Sequence, residues 1–280
     1  GPDTEEYLLI FCCISESFDE LAQSGHYKKT ILFCRHNPFK DRLNAHKCCN
    51  KLALRTIHDF RRRAFLKPDL VDDCVSAAPS VIRLYDRSGR QRFVVGRDEV
   101  HFDPGSAAVS LLDHSRQSER RAVTSDVVKF ARLTDALPHF HFQSTGLVSS
   151  DVPEEIADIY RLYIALHFSA KPVITGTFRI EGFRPMAEML AAVRGGFDRL
   201  AEKPLAVFDA CPSPPLKWSR LTAQSLIEAA RAGIPSELIS MGLTGATSPV
   251  TIAGTLVQHV AENLSGLVIA QLARRGAPVI

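Results

Sequence analysis

The chain has 280 residues, 45% hydrophobic and 23% charged, with a formal net charge of +3. That is an ordinary globular composition, long enough for one large α/β domain or two small ones. The near-neutral charge does not point to nucleic acid, and no apolar run approaches the roughly 20 residues of a membrane helix, so neither partner is expected.

The first 63 residues hold five of the seven cysteines: Cys12, Cys13, Cys34, Cys48 and Cys49, with only Cys74 and Cys211 after them. Adjacent cysteine pairs do not match the C-x2-C spacing of zinc sites, and an odd total argues against a closed disulfide framework. Free thiols and a cytoplasmic location are expected. The apolar patch at residues 7–14 is too short to span a membrane and lacks the basic start of a secretory signal. Neither it nor the patch at 30–34 sits in a sustained helix or strand period. Residues 1–63 are therefore expected to form an irregular N-terminal extension.

Regularity begins at residue 64. Residues 67–75 read as a short amphipathic helix with Pro68 in its first turn, and 81–85 and 92–96 as a hairpin turning at Gly89. Residues 64–99 thus lead into the main body, 100–280. There a strand at 100–102 precedes a helix at 124–137 with Thr124 as N-cap. A strand at 139–143 precedes a helix at 151–168, opened by the Asp151…Glu154 capping box with Pro153 in its first turn. Strand 172–175 and helix 183–193 follow, the helix stopped by Gly195-Gly196. Strand 205–208, helix 222–232 and strand 238–241 come next. Ser248 and Pro249 suit the N-cap and first position of a last helix. That helix carries Ala253, Gly254, Ala261, Ser265, Gly266 and Ala270, small residues suited to close packing on a sheet. A strand at 278–280 closes the list.

Six strands alternating with five helices imply parallel pairing through right-handed crossovers. A doubly wound sheet and a (βα)8 barrel share that rhythm. No G-x-G-x-x-G follows a strand, whereas strand after strand ends in a polar or small-residue loop, as a barrel builds its active face. The expected class is α/β, a (βα)8 TIM-barrel type truncated after its sixth strand, with open sheet edges that want partners.

Several motifs stand in a telling order: Phe102-Asp-Pro-Gly, Ala131-Arg-Leu-Thr-Asp-Ala-Leu, Ser150-Asp-Val-Pro, Leu243-Thr-Gly-Ala-Thr-Ser-Pro-Val-Thr-Ile-Ala-Gly, Ala261-Glu-Asn-Leu-Ser-Gly and Gly276-Ala-Pro-Val-Ile. Over residues 66–280 the chain resembles the trimethylamine:corrinoid methyltransferase family in its broad sense, betaine-type members included. Residues 1–63 do not resemble the family's helical start. The resemblance implies transfer of a methyl group from a tertiary or quaternary amine to a corrinoid protein. The corrinoid would be carried by that partner and not bound by this chain, and a homo-oligomer is expected. A chain lacking the last two strands would be inactive alone.

An ammonium methyl attacked by a partner's cobalt needs only to be bound and oriented, which calls for aromatic faces and carboxylates. The candidates at strand ends are Phe102, Asp103, Gln143, Thr175, Phe208, Asp209, Met241 and, in the long motif, Thr244. A Phe-Asp pair recurs at 102–103 and 208–209, with Phe142, Phe178 and Trp218 nearby. The plainer reading is that these aromatics fill the interior and the aspartates cap turns. No metal is expected: Cys211 lacks a second ligand nearby, and His259 with Glu262 reads as a helix-surface pair. Two other classes fit the same chain. One is a non-catalytic binding or scaffold module; the other is a metal-dependent lyase or hydrolase using Asp103, His141 and Asp209.

Overall fold

The computed structural model describes residues 7–12, 63–96 and 98–280. Within the N-terminal segment, Tyr7–Cys12 is a strand (β1) rather than irregular chain. It pairs in parallel with β2 (Arg63–Leu66) and antiparallel with β10 (Lys217–Ser219). The patch at 30–34 lies outside the described residues.

The first helix, α1 (Pro68–Ala77), takes Pro68 in its first turn, where a missing N–H costs no hydrogen bond. The hairpin β3 (Ile82–Tyr85) and β4 (Gln91–Val95) turns where expected, with Gly89 at φ +85°. A second hairpin, β5 (Ser110–Asp113) and β6 (Ser118–Arg121), is a finding the sequence did not announce. Its turn holds no glycine. Instead Asp113 Oδ1 accepts from the Ser115 and Arg116 amides at 3.0 and 3.2 Å, and Gln117 adopts φ 51°.

The main sheet is parallel throughout. Its strands β7 (Gln143–Ser144), β8 (Val173–Thr175), β9 (Ala206–Ala210) and β11 (Ser236–Leu238) lie side by side in that order. The segments expected as first and sixth strands flank it. The Phe102 carbonyl accepts from the His141 and Phe142 amides at 2.9 and 3.3 Å, and Val279 bridges Ser236 in parallel. Between the strands run α2 (Thr124–Ala136), α3 (Glu154–Phe168), α4 (Phe183–Arg194), the short α5 (Phe197–Glu202) and α6 (Arg220–Ala232). The last helix is α7 (Ile252–Ala273).

Alternation along the strands divides the sheet into two faces. Val173, Ala206 and Phe208 pack against Leu162 of α3, Leu190 of α4 and Ala229 of α6. Phe142, Ile174 and Val207 point the other way, onto Ile82 and Leu84 of the first hairpin, with Phe93 and Val95 beside them. The hairpin is therefore a floor under one face of the sheet, and the helices cover the other.

Three expected caps are corrected. Thr124 is the first helical residue of α2, not its cap; Asp126 Oδ2 accepts from the Val123 amide at 3.0 Å. Asp151 does not open its own helix, which starts at Glu154. Its carboxylate accepts from the Thr124 amide and hydroxyl at 2.8 and 3.0 Å and so anchors α2 from the next unit. The last helix starts three residues later than expected, capped by Thr251, whose hydroxyl accepts from the Gly254 amide at 3.1 Å. Ser248 and Pro249 belong to the preceding turn, where the Ser248 and Pro249 carbonyls accept from the Gly245 amide.

The small residues of α7 allow it to approach the sheet. A Cβ on Gly266 would stand 2.8 Å from Trp218 Cζ2 and 2.8 Å from Leu238 Cδ2. Trp218 is wholly buried and its indole N–H donates to Ser265 Oγ at 2.8 Å, so the ring cannot retreat without losing that bond. Gly266→Ala is expected to destabilise the fold by about 1–3 kcal/mol through overpacking. Chemical denaturation checks it; a stabilised variant, as a better helix former alone would give, contradicts this packing.

Candidate active site

Acidic side chains meet at the carboxyl ends of β9 and β11. In the parallel register Asp209 stands directly opposite Glu237, a like-charge pair that costs stability unless a cation separates the charges. Asp209 Oδ1 is buried and has no hydrogen-bond partner, while Oδ2 accepts from Ser106 Oγ at 3.5 Å. Burial first, then the charges of Glu237 and Asp103, push the Asp209 carboxyl up to about 7, against the pull of Arg161. Glu237 is raised by burial and then by Asp103. The Cys211 thiol, two residues after Asp209, is pushed up to about 11 by burial and by Asp209 and Glu237. A thiol so held is protonated near neutrality and is a poor nucleophile.

Arg161 of α3 is buried behind this group. Its guanidinium donates to the Thr145 carbonyl at 3.1 Å, the Gly176 carbonyl at 2.8 Å and Asp158 Oδ1 at 3.0 Å. Asp158 Oδ2 in turn accepts from the Thr177 hydroxyl and the Phe178 amide at 2.8 and 2.7 Å. The pair thereby fixes the loop after β8 and sets the Phe178 ring 4.6 Å over the guanidinium. Phe178 is 56% exposed, and Phe102, 57% exposed, stands before Asp103. The arrangement is a cluster of largely desolvated carboxylates with exposed aromatic rings on neighbouring strand-end loops, a chemistry suited to an organic cation.

The expected residues divide accordingly. Asp103 and Asp209 act on one another electrostatically, and the Ser106 hydroxyl ties the loop of the first to the carboxylate of the second. Gln143 is fully buried, its amide donating to the Ala131 carbonyl at 2.8 Å, so it fastens β7 to α2. Thr175 is buried with its hydroxyl 3.1 Å from that of Thr145. Phe208 packs on Phe183, ring centroids 4.8 Å apart, on the helix side of the sheet; alternation turns it away from Asp209, its neighbour in sequence. Met241 is exposed, and Thr244 accepts a hydrogen bond from Thr255 at 3.1 Å in the exposed loop before α7.

Sequence reasoning missed Glu237 because it began that strand at residue 238, one residue after Glu237. A lone charged residue within the segment Ile234-Pro-Ser-Glu-Leu-Ile239 was the available signal. Glu262 is also corrected: it is buried, not on the helix surface, and accepts from the Leu216 amide at 2.8 Å and from Ser240 Oγ, holding two strand-end loops to α7. His259 pairs instead with Asn263 at 3.1 Å. As for a metal centre at Asp103, His141 and Asp209, among the described residues no three His, Cys, Asp or Glu side chains are arranged to hold a metal ion. No helix among them is long and apolar enough to cross a membrane.

A family model for trimethylamine methyltransferases matches residues 57–280, reaching further toward the N-terminus than the motifs alone. A trimethylamine methyltransferase MttB from Desulfitobacterium hafniense is 34% identical over 223 residues, 79% of this chain and 45% of that protein. A glycine betaine methyltransferase from the same species is 30% identical over 78% of this chain and 46% of its own length. The chain spans about half the length of these relatives. Among solved structures, a dihydropteroate synthase from Xanthomonas albilineans in complex with 7,8-dihydropteroate covers 71% of the chain and 91% of its own at 17% identity. Its TM-score of 0.27 carries no argument about sheet closure.

Proposed function

This chain belongs to the trimethylamine methyltransferase family, and from that premise we propose that it supplies the ammonium-binding face of an amine:corrinoid methyltransferase. The substrate is a tertiary or quaternary amine, trimethylamine or betaine-like, and the methyl acceptor is the cobalt of a corrinoid carried by a partner protein. The observation that carries this reading is the Asp209–Glu237 pair in register, with Asp103 adding to the same field.

Residues 100–280 are read as a partial (βα) barrel entered through the helix and hairpin of 64–99. Support comes from four parallel strands lying side by side in chain order, with Val279 bridging the last of them in parallel and Phe102 hydrogen-bonded to the segment that enters the first, so that the carboxyl ends of the strands form one face. The corrinoid supplies the nucleophile when its carrier docks, and no residue of this chain is assigned to hold it. What this chain contributes is binding and orientation. Asp103, Asp209 and Glu237 neutralise the cation, while Phe102 and Phe178 offer it ring faces. Arg161 keeps the loop of Phe178 in place and tempers the buried negative charge. Gln143, Thr175 and Phe208 support the strand ends from behind, and Met241 and Thr244 lie on the rim. The nitrogen is thus gripped from the sheet side, and a methyl group faces outward toward the docked partner.

Calorimetric titration with tetramethylammonium at pH 8, with sodium ions as control, tests this directly. Glu237→Gln and Asp103→Asn are each expected to weaken tetramethylammonium binding by about tenfold, close to 1.4 kcal/mol. Equal affinity in wild type and Glu237→Gln removes the basis for the reading.

A further inference from the structure

The Asp103 loop reaches the anionic site by an unusual attachment. Phe102 is the residue through which the first flanking segment joins the sheet, and its carbonyl accepts the His141 and Phe142 amides. Its own amide does not find a carbonyl on that neighbour. It donates to the imidazole Nδ1 of His141 at 3.1 Å, so a side chain stands in for a rung of the ladder. Beyond it, the Gly105 carbonyl accepts from Ser144 Oγ and Ser106 Oγ reaches Asp209. Phe102 is where this short loop leaves the sheet.

We propose that His141 is a positioning residue whose neutral ring latches Phe102, and with it the Asp103–Ser106 loop, against the anionic site, and that protonation of the ring opens the latch. The reason is chemical. Nδ1 can accept the Phe102 N–H only through its lone pair, which fixes the neutral ring as the Nε2–H tautomer. Adding a proton places an N–H against an N–H; the hydrogen bond becomes a repulsion between two donors, and Phe102 must move. The consequence for the amine rests on the methyltransferase reading; the latch itself does not.

The surroundings favour the closed form near neutrality. The His141 ring meets His101 and Phe93 edge-on at 5.0 and 6.0 Å and stacks on Phe102 at 6.2 Å. Its charged neighbours are all cationic or able to become so: His101 on the segment before Phe102, His139 on its own segment, and Lys171 at the entry to β8. Arg92 of β4 and Asp135 of α2 act on Lys171 in opposite senses. The His101 Nε2–H donates to the Val94 carbonyl at 2.7 Å, and its Nδ1 is buried without a partner. Burial first, then His101, Lys171 and His139, lowers the affinity of His141 for a proton. The latch therefore opens below the ordinary imidazole range and stays shut above it.

Amide hydrogen exchange at Phe102, corrected for the intrinsic pH dependence of exchange and run without any amine, reads the latch. Wild-type protection is expected to fall about fivefold between pH 7.5 and pH 5, the equivalent of one net hydrogen bond of about 1 kcal/mol. His141→Asn, whose Oδ1 offers an acceptor that does not titrate in this range, should restore protection at both pH values. His141→Phe should show the low value at both. With tetramethylammonium at pH 7.5, His141→Phe is expected to bind about fivefold more weakly, and His141→Asn to recover most of that loss. Wild-type protection independent of pH, or equal protection in His141→Phe, overturns the latch. A wild-type chain that binds no amine defeats the methyltransferase reading instead, and the exchange data still decide the latch.

Discussion

Asp209→Asn is expected to stabilise the chain above pH 7 and at the same time to remove its affinity for quaternary ammonium ions. In the folded chain the carboxyl is pushed up to about 7 by burial, Glu237 and Asp103, far above its value in an unfolded chain. Between those two values the folded state keeps a proton that the unfolded state has released. Stability therefore declines as pH rises from about 4 to about 7 and stays reduced above that window. Asparagine carries no such proton and escapes the decline. The difference between those two values corresponds to at most about 4 kcal/mol, and relaxation around a half-buried side chain leaves part of that. Wild type and variant should melt together near pH 4 and diverge by several degrees at pH 8, at roughly 2–4 °C per kcal/mol for a domain of this size. Because a bound cation favours the ionised carboxylate, its binding to wild type should release protons and tighten as pH rises from 6 to 8. A variant that melts like wild type at pH 8 and still binds tetramethylammonium contradicts both halves of the account.

Arg161→Ala should have the opposite effect on stability and the largest one. The guanidinium closes three hydrogen bonds, to Thr145, Gly176 and Asp158, in a place with almost no solvent. Its loss takes the guanidinium donor from the half-buried Gly176 carbonyl and one of two donors from the Thr145 carbonyl, leaves the buried Asp158 carboxylate without its counter-charge, and removes the one opposing charge among the causes of the Asp209 shift. Breaking a buried pair by removing one partner costs about 3–5 kcal/mol. Arg161→Met combined with Asp158→Asn should cost less than the sum of the two single changes, since the double variant leaves no isolated charge. Urea denaturation of the four proteins closes this cycle. Simple additivity, or a loss below about 1 kcal/mol for Arg161→Ala, shows that the pair is not the tie proposed for the Phe178 loop.

Much of the molecule was legible in one dimension because the signals are local. Glycine stops helices at Gly195 and Gly233, both at positive φ, where a side chain would be strained. Small residues on α7 foretold its close approach, and the family motifs marked the chain from Phe102 onward. Strand ends were legible to within two or three residues, which was enough to find Asp209 and not enough to find Glu237. The second hairpin escaped because its turn is made by an aspartate side chain and a glutamine rather than by glycine.

What the sequence determined by itself is the alternation of helices with the strands of the main sheet, their parallel connection and the chemistry available at the strand ends. Which of those residues act together was decided only in three dimensions. Two neighbours in sequence, Phe208 and Asp209, face opposite sides of the sheet, whereas Asp209 and Glu237, 28 positions apart, stand side by side. Asp151 left its own helix to anchor another, and Arg161 joined three elements at once. The physical reason is the same in each case. Backbone propensity acts over a few residues, while strand register, burial and the field between buried charges are set by segments that meet only after the chain has folded.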